Sequence, residues 1–260
     1  MTCIMPPAGV IFDVDGTILR GTEPLPGAMG AVVACRDADI PVRFVTNNPT
    51  QPAETYVERF AAAGMSVSAE EVITAGSATV RLLSEQHADA AVGVIGAESL
   101  RMQLTAAGVE VRPLTDPIGV LVVSIDHEFT YETLVRAQTL LADGSVRFIG
   151  TDPDMIIPAA DGARPGSGAI MHAVAGVAGR GPDVICGKPS VMMQAMVLES
   201  LEASPASLLV VGDRLDTDIA LGVQAGMQTV HVTTGVDSEA PDGITPDRSL
   251  DSLEALADSW

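Results

Sequence analysis

The chain has 260 residues, 47% of them apolar, which is enough for one large domain or two small ones with a substantial core. Its net charge of −20, from 34 acidic against 14 basic residues, argues against binding to nucleic acid or to an anionic membrane surface, because phosphate groups must be neutralised by clustered Lys and Arg. No apolar run reaches membrane-spanning length, and the first residues lack the basic and apolar regions of a secretory signal.

Cysteine and charge usage indicate the environment of the protein. Cys3, Cys35 and Cys186 have no paired spacing, so we expect a cytoplasmic protein with neither disulfides nor a zinc site. The acidic surface repels itself at low ionic strength, whereas in molar salt the Debye length falls to about 3 Å and the repulsion is screened. Two interpretations follow, a salt-loving source organism or an acidic mesophilic enzyme, and unfolding on dialysis into low salt would distinguish them.

The first predicted strand ends in two carboxylates. An apolar run over residues 9–12 predicts a buried strand of a parallel sheet, and the sequence DVDGT follows at 13–17. Open α/β sheets bind ligands at the carboxyl ends of their strands, and burying two neighbouring carboxylates is costly unless a cation, hydrogen-bond donors or chemistry compensates. Asp13 and Asp15 therefore indicate a functional site, the alternative being a helix N-cap and its neighbour.

A second polar strand end follows. The Gly- and Pro-rich segment 20–30 is predicted to be a loop or flap, and a helix over 28–38 and a strand over 41–46 come next. This strand ends in the sequence TNNP at 46–49, which places a hydroxyl and two amides at the same edge of the sheet as Asp13. Small polar groups before a helix N-terminus suit an anion, but Asn and Pro also form plain turns, and both interpretations stay open.

Strands and helices then alternate along the chain. The predicted helices cover 54–63, 77–85, 98–107 and 131–141, and the predicted strands cover 72–74, 91–96, 119–125 and 147–149. The alternation beyond about residue 78 predicts a second α/β unit with its own sheet. Residues 151–169 are predicted to form a long loop before a helix, whose Gly-rich end could cradle an anion but lacks the Lys and spacing of a P-loop.

Lys188 is the only lysine of the chain. Because Arg could fill any general surface role, a single retained Lys indicates a need for a compact ammonium group beside a phosphoryl oxygen. The alternative is an ordinary solvated surface charge.

The last signal is the sequence LLVVGDRLDTDI at 208–219, which predicts another buried strand that ends in Gly and clustered carboxylates. After it we predict a helix over 220–225, a strand over 228–233, a loop over 235–247 and a terminal helix over 250–257.

In this order the four stretches resemble the motifs of the haloacid dehalogenase superfamily, most of whose members are Mg-dependent phosphatases. DVDGT at 13–17 resembles the nucleophile motif DxDGT, and Thr46 with Asn47 resembles the second motif. Lys188 resembles the third motif, and GDRLDTDI at 212–219 resembles the fourth in the form of the NagD-like, class IIA branch, which includes p-nitrophenyl, sugar and nucleotide phosphatases. The resemblance covers essentially the whole chain.

The resemblance implies a doubly wound, Rossmann-like parallel-sheet core over residues 1–77 and 185–260. An inserted α/β cap of the C2 type would occupy 78–184, because the later core motifs arrive only after it. Such a cap would exclude water and select the leaving group.

The resemblance also assigns roles to the acidic residues. Asp13 would be the nucleophile that forms an aspartyl-phosphate, and Asp15 would be the general acid to the leaving oxygen and then the base for water. Mg²⁺, which suits hard oxygen ligands, would be held by the Asp13 carboxylate, the Asp15 main-chain carbonyl and Asp213. Asp218 would support the metal, whereas Asp216 is not part of the assigned set.

The phosphoryl group would be held by Thr46, the Asn47 amide and Lys188, the arrangement in which preorganised charge contributes most. Thr17 would help to hold the loop that carries Asp15. These four assignments rest on the resemblance of the motifs.

In the cap, Asp152 stands where the NagD-like pattern usually has Asn, which could alter selectivity. Asp154 and Arg164 are predicted to contact the leaving group, with a structural ion pair as the alternative for Arg164. Replacing Arg164 with Ala and finding an unchanged substrate profile would discard that contact.

We therefore expect a Mg-dependent phosphatase for a small phosphorylated metabolite such as a sugar phosphate or a nucleoside monophosphate. Nucleic-acid and membrane partners are not expected, and a homodimer formed through the cap is left open. Alternatives are a phosphotransferase or phosphomutase on the same scaffold, a non-catalytic phospho-ligand binder, and a dehalogenase. Asp15, Asp213 and the cap type argue against a dehalogenase, and the intact pair of Asp13 and Asp15 argues against a mere binder.

Overall fold

The computed structural model describes residues 6–159, 162–235 and 239–257. Cys3 and part of the predicted loop over 235–247 lie outside the described residues. The chain forms two compact units, the first drawn from Met1–Thr46, Ala53–Ile73 and Lys188–Trp260, and the second from Asn47–Pro52 and Thr74–Gly187. The identification of the second unit as a cap stays a prediction.

The strands are, in chain order, β1 (Gly9–Asp13), β2 (Leu19–Arg20), β3 (Glu23–Pro24), β4 (Val42–Thr46), β5 (Val72–Thr74), β6 (Val92–Ile95), β7 (Val111–Arg112), β8 (Val120–Val123), β9 (Arg147–Gly150), β10 (Ile156–Ala159), β11 (Gly162–Pro165), β12 (Val184–Ile185), β13 (Leu208–Gly212), β14 (Gln228–Val232) and β15 (Arg248–Leu250).

The α-helices are α1 (Ala28–Asp37), α2 (Ala53–Ala62), α3 (Ala75–Gln86), α4 (Glu98–Ala106), α5 (Tyr131–Leu141), α6 (Ser167–Ala178), α7 (Val191–Leu201), α8 (Ala220–Ala225) and α9 (Glu254–Ala257). Short 3-10 turns cover Ala69–Glu71 and Pro205–Ser207, and a π-helical turn covers Leu215–Ile219. Within the described part of the chain, none of these helices has the length and apolar character needed to cross a membrane.

The sheet of the first unit runs in the order β15-β14-β13-β1-β4-β5. β1 pairs in parallel with β13 on one side and with β4 on the other, and all five of its residues are buried. Burial from both sides explains why its sequence is a continuous apolar run. The chain leaves β1 towards β4 and returns on the other side at β13, so the switch point of a doubly wound sheet lies at β1. The predicted parallel-sheet α/β core is therefore confirmed.

Aromatic side chains pack against this sheet from α2. The Phe44 ring lies 6.2 Å from the Phe12 ring and 4.5 Å from the Phe60 ring, measured between centroids, and Tyr56 is fully buried in the same cluster. Each aromatic side chain removes a large apolar area from water, which ties α2 to β1 and β4. The packing fixes the strand ends that carry Asp13 and Thr46.

The second unit has a sheet in the order β12-β9-β8-β6-β7, and its registered pairs are parallel. Its core contains Leu121 and Val123 from β8, Phe148 from β9 and Val174 from α6. The unit therefore buries an apolar cluster of its own.

Two predicted elements are wrong in part. The predicted loop over 151–169 contains the antiparallel hairpin of β10 and β11. The predicted terminal helix over 250–257 begins later, as α9 at Glu254. Leu250 belongs instead to β15, which pairs in parallel with β14 at the edge of the sheet, and residues 251–253 form a turn before the helix.

Several short strands and one helix went unpredicted. The flap over 20–30 includes the small hairpin of β2 and β3, and β7 and β12 are two-residue strands at the edges of the second sheet. The helix α7 follows Lys188 in a stretch with no predicted element. Ser190 caps α7, with its hydroxyl accepting a hydrogen bond from the Met193 amide at 3.2 Å. The Met-rich, evenly apolar sequence of α7 shows little of the periodicity on which helix prediction depends.

Candidate active site

Three carboxylates meet at the carboxyl ends of β1 and β13. Asp13 is the last residue of β1, Asp213 directly follows β13, and Asp218 lies in the π-helical turn. All three are buried, and one carboxylate oxygen of each lies within 4.8 Å of the others. The parallel pairing of β1 with β13 brings these distant segments of the chain together.

Lys188 supplies a buried positive charge to this cluster. Its Nζ donates hydrogen bonds to Asp13 Oδ1 at 2.5 Å and to the Val45 carbonyl at 2.8 Å, and it lies 2.7 Å from Asp218 Oδ1. Burial by itself would lower the pKa of Lys188, but the carboxylates of Asp13 and Asp218 outweigh it, so the pKa is raised and the ammonium stays charged. The lone lysine is therefore a buried ion-pair partner and not a solvated charge.

Asp13 has unsatisfied charge and hydrogen-bonding capacity. Burial raises its pKa well above the ordinary value, Asp218 and Asp213 raise it further, and Lys188 opposes them. Its Oδ2 is buried and has no hydrogen-bond partner among the described residues. Three carboxylates beside one ammonium leave an excess of negative charge, and carboxylate oxygens are the donors that Mg²⁺ prefers. The cluster therefore fits a divalent cation.

The turn after β1 carries Asp15 and Thr17 to different places. The Thr17 hydroxyl donates to Asp213 Oδ1 at 3.3 Å, so Thr17 joins the buried cluster. The Asp15 side chain is 43% exposed and forms an ion pair with Arg59, with 2.5 Å between Asp15 Oδ1 and Arg59 Nη2. Gly16 between them has φ +105°, a conformation that other residues rarely adopt. The Asp15 carboxylate thus lies apart from the buried cluster of Asp13, Asp213 and Asp218.

The contacts that β14 and the loop after it make with Asp213 and Gly16 were missed by the sequence analysis. The Thr234 hydroxyl donates to the Gly16 carbonyl at 2.6 Å, and His231 Nε2 donates to the Asp213 carbonyl at 2.9 Å. A Cβ atom at Gly235 would overlap the Asp213 carboxylate, and one at Gly16 would come within 2.6 Å of Asp213 Oδ2. No motif signalled these residues, because their role depends on contacts with Asp213, about 20 residues earlier, and with Gly16, which lies 218 residues from Thr234.

Replacing Gly235 with Ala is expected to displace the Asp213 carboxylate and to weaken the binding of a divalent cation at the cluster by about 10- to 100-fold, the usual effect of disturbing groups that orient metal ligands. Isothermal titration calorimetry with Mg²⁺ checks this. Gly181→Ala is the matched control, because a Cβ at Gly181 meets no atom within 4 Å. Equal affinities in the two variants would contradict a restraint on Asp213 by Gly235.

The polar residues at the carboxyl end of β4 have different roles. Thr46 is the buried last residue of β4, whereas Asn47 begins the second unit, where its Nδ2 donates to Asp154 Oδ1 at 3.2 Å. Asn48 Oδ1 accepts hydrogen bonds from the amide and the hydroxyl of Thr50, at 2.9 and 2.8 Å. Asn48 therefore forms the turn that the sequence left open, while Asn47 is drawn towards Asp154.

Asp152 is a buried carboxyl group of the second unit. Its Oδ2 accepts a hydrogen bond from Thr151 Oγ1 at 2.9 Å, and its Oδ1 accepts one from the Asp154 amide at 3.2 Å. Burial raises the pKa of Asp152 to about 7, and the nearby Asp154 carboxylate adds to the rise. When it is protonated, Asp152 has the shape and neutrality of the Asn that the resemblance led us to expect at this position.

The remaining predicted cap residues lie around the hairpin of β10 and β11. Arg164 is an exposed residue of β11. The amides of Gly166 and Gly168 donate to the carbonyls of Met155 and Asp154, each at 2.9 Å, and Cβ atoms at these glycines would overlap the preceding loop. The Gly-rich stretch therefore packs the chain closely at the start of α6, and these two amides are already engaged instead of facing an anion.

Comparisons with family models and curated proteins show what the chain is similar to. Residues 10–110 match a family model described as haloacid dehalogenase-like hydrolase, and residues 185–256 match a second described as HAD-hydrolase-like. The acid sugar phosphatase of Staphylococcus haemolyticus is 36% identical over 228 residues, which cover 88% of this chain and 86% of that protein.

Two solved structures resemble the whole chain. The p-nitrophenyl phosphatase from Archaeoglobus fulgidus superposes with a TM-score of 0.90 at 32% identity, covering 98% of this chain and 100% of that one. NagD from E. coli K-12 superposes with a TM-score of 0.84 at 29% identity, covering 96% and 98% respectively. The similarity thus extends over both units of the chain.

Proposed function

The chain belongs to the haloacid dehalogenase-like hydrolase family, and from this membership we propose that it hydrolyses small phosphomonoesters through an aspartyl-phosphate on Asp13. The observation that carries the proposal is the buried contact of Asp13 with Lys188, beside Asp213 and Asp218. A buried nucleophilic carboxylate next to a fixed ammonium suits attack on a phosphate dianion, because the ammonium offsets the repulsion between the two anions.

The reaction takes place in two steps. An Asp13 carboxylate oxygen attacks phosphorus, the bond from phosphorus to the leaving oxygen breaks, and Asp15 gives that oxygen a proton. Water then attacks the phosphorus of the aspartyl-phosphate, Asp15 accepts the proton of the water, and inorganic phosphate leaves as the Asp13 carboxylate is restored. Negative charge lies on the equatorial phosphoryl oxygens throughout, so donors held in place lower both barriers.

Three groups are proposed to hold the phosphoryl oxygens. The Lys188 ammonium has three N–H donors, which face the Val45 carbonyl, Asp13 and Asp218, and its pairing with Asp13 places it beside the nucleophile, where a phosphoryl oxygen would share the Asp13-facing donor. The Thr46 hydroxyl, at the end of β4 next to Val45, and the main-chain amide of Asn47 supply the remaining donors in this proposal. Preorganised donors of this kind cost no reorganisation at the moment of reaction.

We propose Mg²⁺ as the cofactor. The Asp13 carboxylate, the Asp15 main-chain carbonyl and Asp213 would hold it, and Asp218 would support it. The orphaned Asp13 Oδ2 and the all-oxygen donor set favour a hard cation. When bound, Mg²⁺ supplies positive charge to the nucleophile and to the transferring phosphoryl group.

Sugar phosphates are the proposed substrates, because the curated relatives are named acid sugar phosphatases. The second unit is proposed to select the leaving group, with Asp154 and Arg164 as contacts. The carboxylate of Asp154 would accept hydrogen bonds from hydroxyl groups, and Arg164 would pair with an anionic tail. Asp152, whose Oδ1 holds the Asp154 amide, would keep that residue in place.

We further propose a cytoplasmic location, a salt-rich source and a homodimer. The scattered cysteines favour a reducing compartment, and the net charge of −20 favours a medium in which surface repulsion is screened. Sedimentation and thermal melting at low and molar salt would test the assembly and the salt requirement together.

Phosphate release across a panel of phosphomonoesters tests the proposed function. We expect Mg²⁺-dependent release, faster with sugar phosphates than with nucleoside monophosphates, and p-nitrophenyl phosphate would serve as the chromogenic member. Each substrate is measured at low and molar salt, with and without a chelator. Folded protein that releases no phosphate under any of these conditions would refute the proposal, and transfer to added acceptor alcohols would then indicate a phosphotransferase.

A further inference from the structure

Arg59 contacts the proposed general acid and has no role in the mechanism above. It lies on α2, and its Nη2 donates to Asp15 Oδ1 at 2.5 Å and to the Gly21 carbonyl at 2.8 Å. Its Nε donates to the same carbonyl at 3.2 Å, and its guanidinium carbon lies 4.9 Å from the centre of the Tyr56 ring. The side chain is 16% exposed, so the guanidinium is held by the flap, by an aromatic face and by Asp15.

Asp15 is the carboxylate of the site that most needs such support. Its side chain is 43% exposed, whereas Asp13 and Asp213 are almost completely buried. An exposed carboxylate can rotate among several staggered conformers, and restricting it costs conformational entropy. A general acid must nevertheless reach the leaving oxygen at about 2.6–3.2 Å. A neighbour that is itself fixed can restrict the carboxylate before substrate arrives.

Most exposed ion pairs have little effect, because both side chains are mobile and water screens the charges. The contact between Arg59 and Asp15 differs, since the guanidinium is largely buried and is anchored twice to the Gly21 carbonyl. Charge-assisted hydrogen bonds to an anchored guanidinium are directional. The packing of α2 and the flap therefore offsets most of the entropic cost of fixing the Arg59 side chain.

We propose that Arg59 is a positioning residue, which holds the Asp15 carboxyl group where it protonates the leaving oxygen. The inference rests on the proposed phosphatase function and adds a residue to it. Arg59 acts through Asp15 and does not touch the phosphoryl group. Its effect must therefore depend on how much the leaving group needs a proton.

Leaving groups divide into two chemical kinds. The alkoxide oxygen of a sugar is a poor leaving group and departs only when it is protonated, so a sugar phosphate depends on Asp15. A p-nitrophenolate departs as a stable anion and depends on it little. A misplaced Asp15 should therefore slow release of the sugar alcohol strongly and release of p-nitrophenolate weakly, whereas the later hydrolysis of the aspartyl-phosphate, for which Asp15 is the base, is common to both substrates. A merely structural role for Arg59 would slow the release of both leaving groups alike.

The test measures leaving-group release from a sugar phosphate and from p-nitrophenyl phosphate by Arg59→Ala, in single turnovers with enzyme in excess, which report formation of the aspartyl-phosphate before Asp15 acts as a base. Misplacement of a reacting group by about 1 Å costs about 10²-fold in rate, so we expect release of the sugar alcohol to slow by about 10- to 100-fold. We expect release of p-nitrophenolate to slow by less than about threefold, with the half-saturating enzyme concentration nearly unchanged for both substrates, because binding does not use Arg59.

A double-mutant cycle with Asp15→Asn tests whether Arg59 acts through Asp15. Adding Arg59→Ala to Asp15→Asn should cause no further loss with the sugar phosphate, because the group that Arg59 positions is already absent. Arg59→Lys keeps a cation within reach of Asp15 and should retain more activity with the sugar phosphate than Arg59→Ala. Arg36→Ala is the matched control, because it removes an exposed ion pair of the same unit, with Glu71 at 3.4 Å.

Equal losses with both substrates, or additive losses in the double variant, would overturn the role of Arg59 and leave the phosphatase function standing. Wild-type protein that releases no phosphate from either substrate would overturn both. Should Arg59→Ala fail to fold, Arg59→Gln replaces it, because glutamine keeps part of the stem but removes the charge that holds Asp15. A loss confined to the sugar phosphate in that variant supports the inference, and equal losses or no loss overturn it.

Discussion

Replacing Asp13 with Asn is expected to reduce phosphate release by at least about 10⁴-fold while the protein stays folded. The amide keeps the shape of the carboxylate but cannot attack phosphorus. Because burial raises the pKa of Asp13, the folded state disfavours its charge, and ionisation of this group as the pH rises lowers the stability of the wild type. The neutral amide removes that cost, so we expect the free energy of unfolding to stay within about 1 kcal/mol of the wild type or to rise.

Asp216→Asn is the matched control for this variant. Asp216 lies two residues before Asp218 in the π-helical turn, but its carboxylate pairs with Arg214 at 2.7 Å and does not join the buried cluster. We expect nearly full activity from the control. Comparable losses in Asp13→Asn and Asp216→Asn would contradict the assignment of Asp13 as nucleophile. Phosphate release and urea unfolding, measured on both variants with Mg²⁺, provide the comparison.

Replacing Lys188 with Met is expected to destabilise the fold by about 3–5 kcal/mol and to reduce activity by at least about 10²-fold. Met fills a similar volume but leaves the carboxylates of Asp13 and Asp218 buried without their ammonium partner. Removal of one partner of a buried charge cluster costs more than the attraction itself contributes, because the remaining charges have already lost their water. Urea unfolding at neutral pH measures the loss of stability.

Addition of Mg²⁺ separates the two effects of the Lys188→Met substitution. A divalent cation at the acidic cluster should restore part of the stability by neutralising the carboxylates, but it cannot replace the donor to the phosphoryl oxygen. Arg81→Met is the control, because Arg81 forms an exposed pair with Glu85 on α3, and its loss should cost at most about 1 kcal/mol. An unchanged unfolding midpoint in Lys188→Met would show that Lys188 does not hold the cluster together.

The motifs that could be recognised in the sequence are those in which the functional residue directly follows, or ends, a buried strand. A buried strand and the carboxylate at its end are encoded together, as in β1 with Asp13 and in β13 with Asp213. The lysine stood out by its rarity in an acidic chain. The structure brings Lys188 and Asp13 into contact, although 175 residues separate them.

Other parts of the site had no local signal. Arg59 is one arginine on an amphipathic helix, where a charged residue is ordinary, and its contact with Asp15 spans 44 residues. Gly235 lies in a loop where glycine is common, and its lack of a side chain matters only because Asp213 packs against it. The roles of Arg59 and Gly235 depend on neighbours that lie too far away in the chain to be recognised from a local sequence pattern.

Local patterns, by themselves, determined the parallel α/β class, the buried strands and the acidic residues at their ends. A strand buried on both faces must be apolar throughout, and a buried carboxylate at its end needs a counter-charge or hydrogen-bond donors. Both features can therefore be recognised within a few residues of sequence. The tertiary structure alone decided which strand ends lie side by side. It also decided that β15 pairs at the sheet edge just before the terminal helix, and that Asp15 faces Arg59 instead of the buried cluster. Strand order and side-chain partners depend on contacts between distant segments, whose free energy is gained only when the whole sheet assembles.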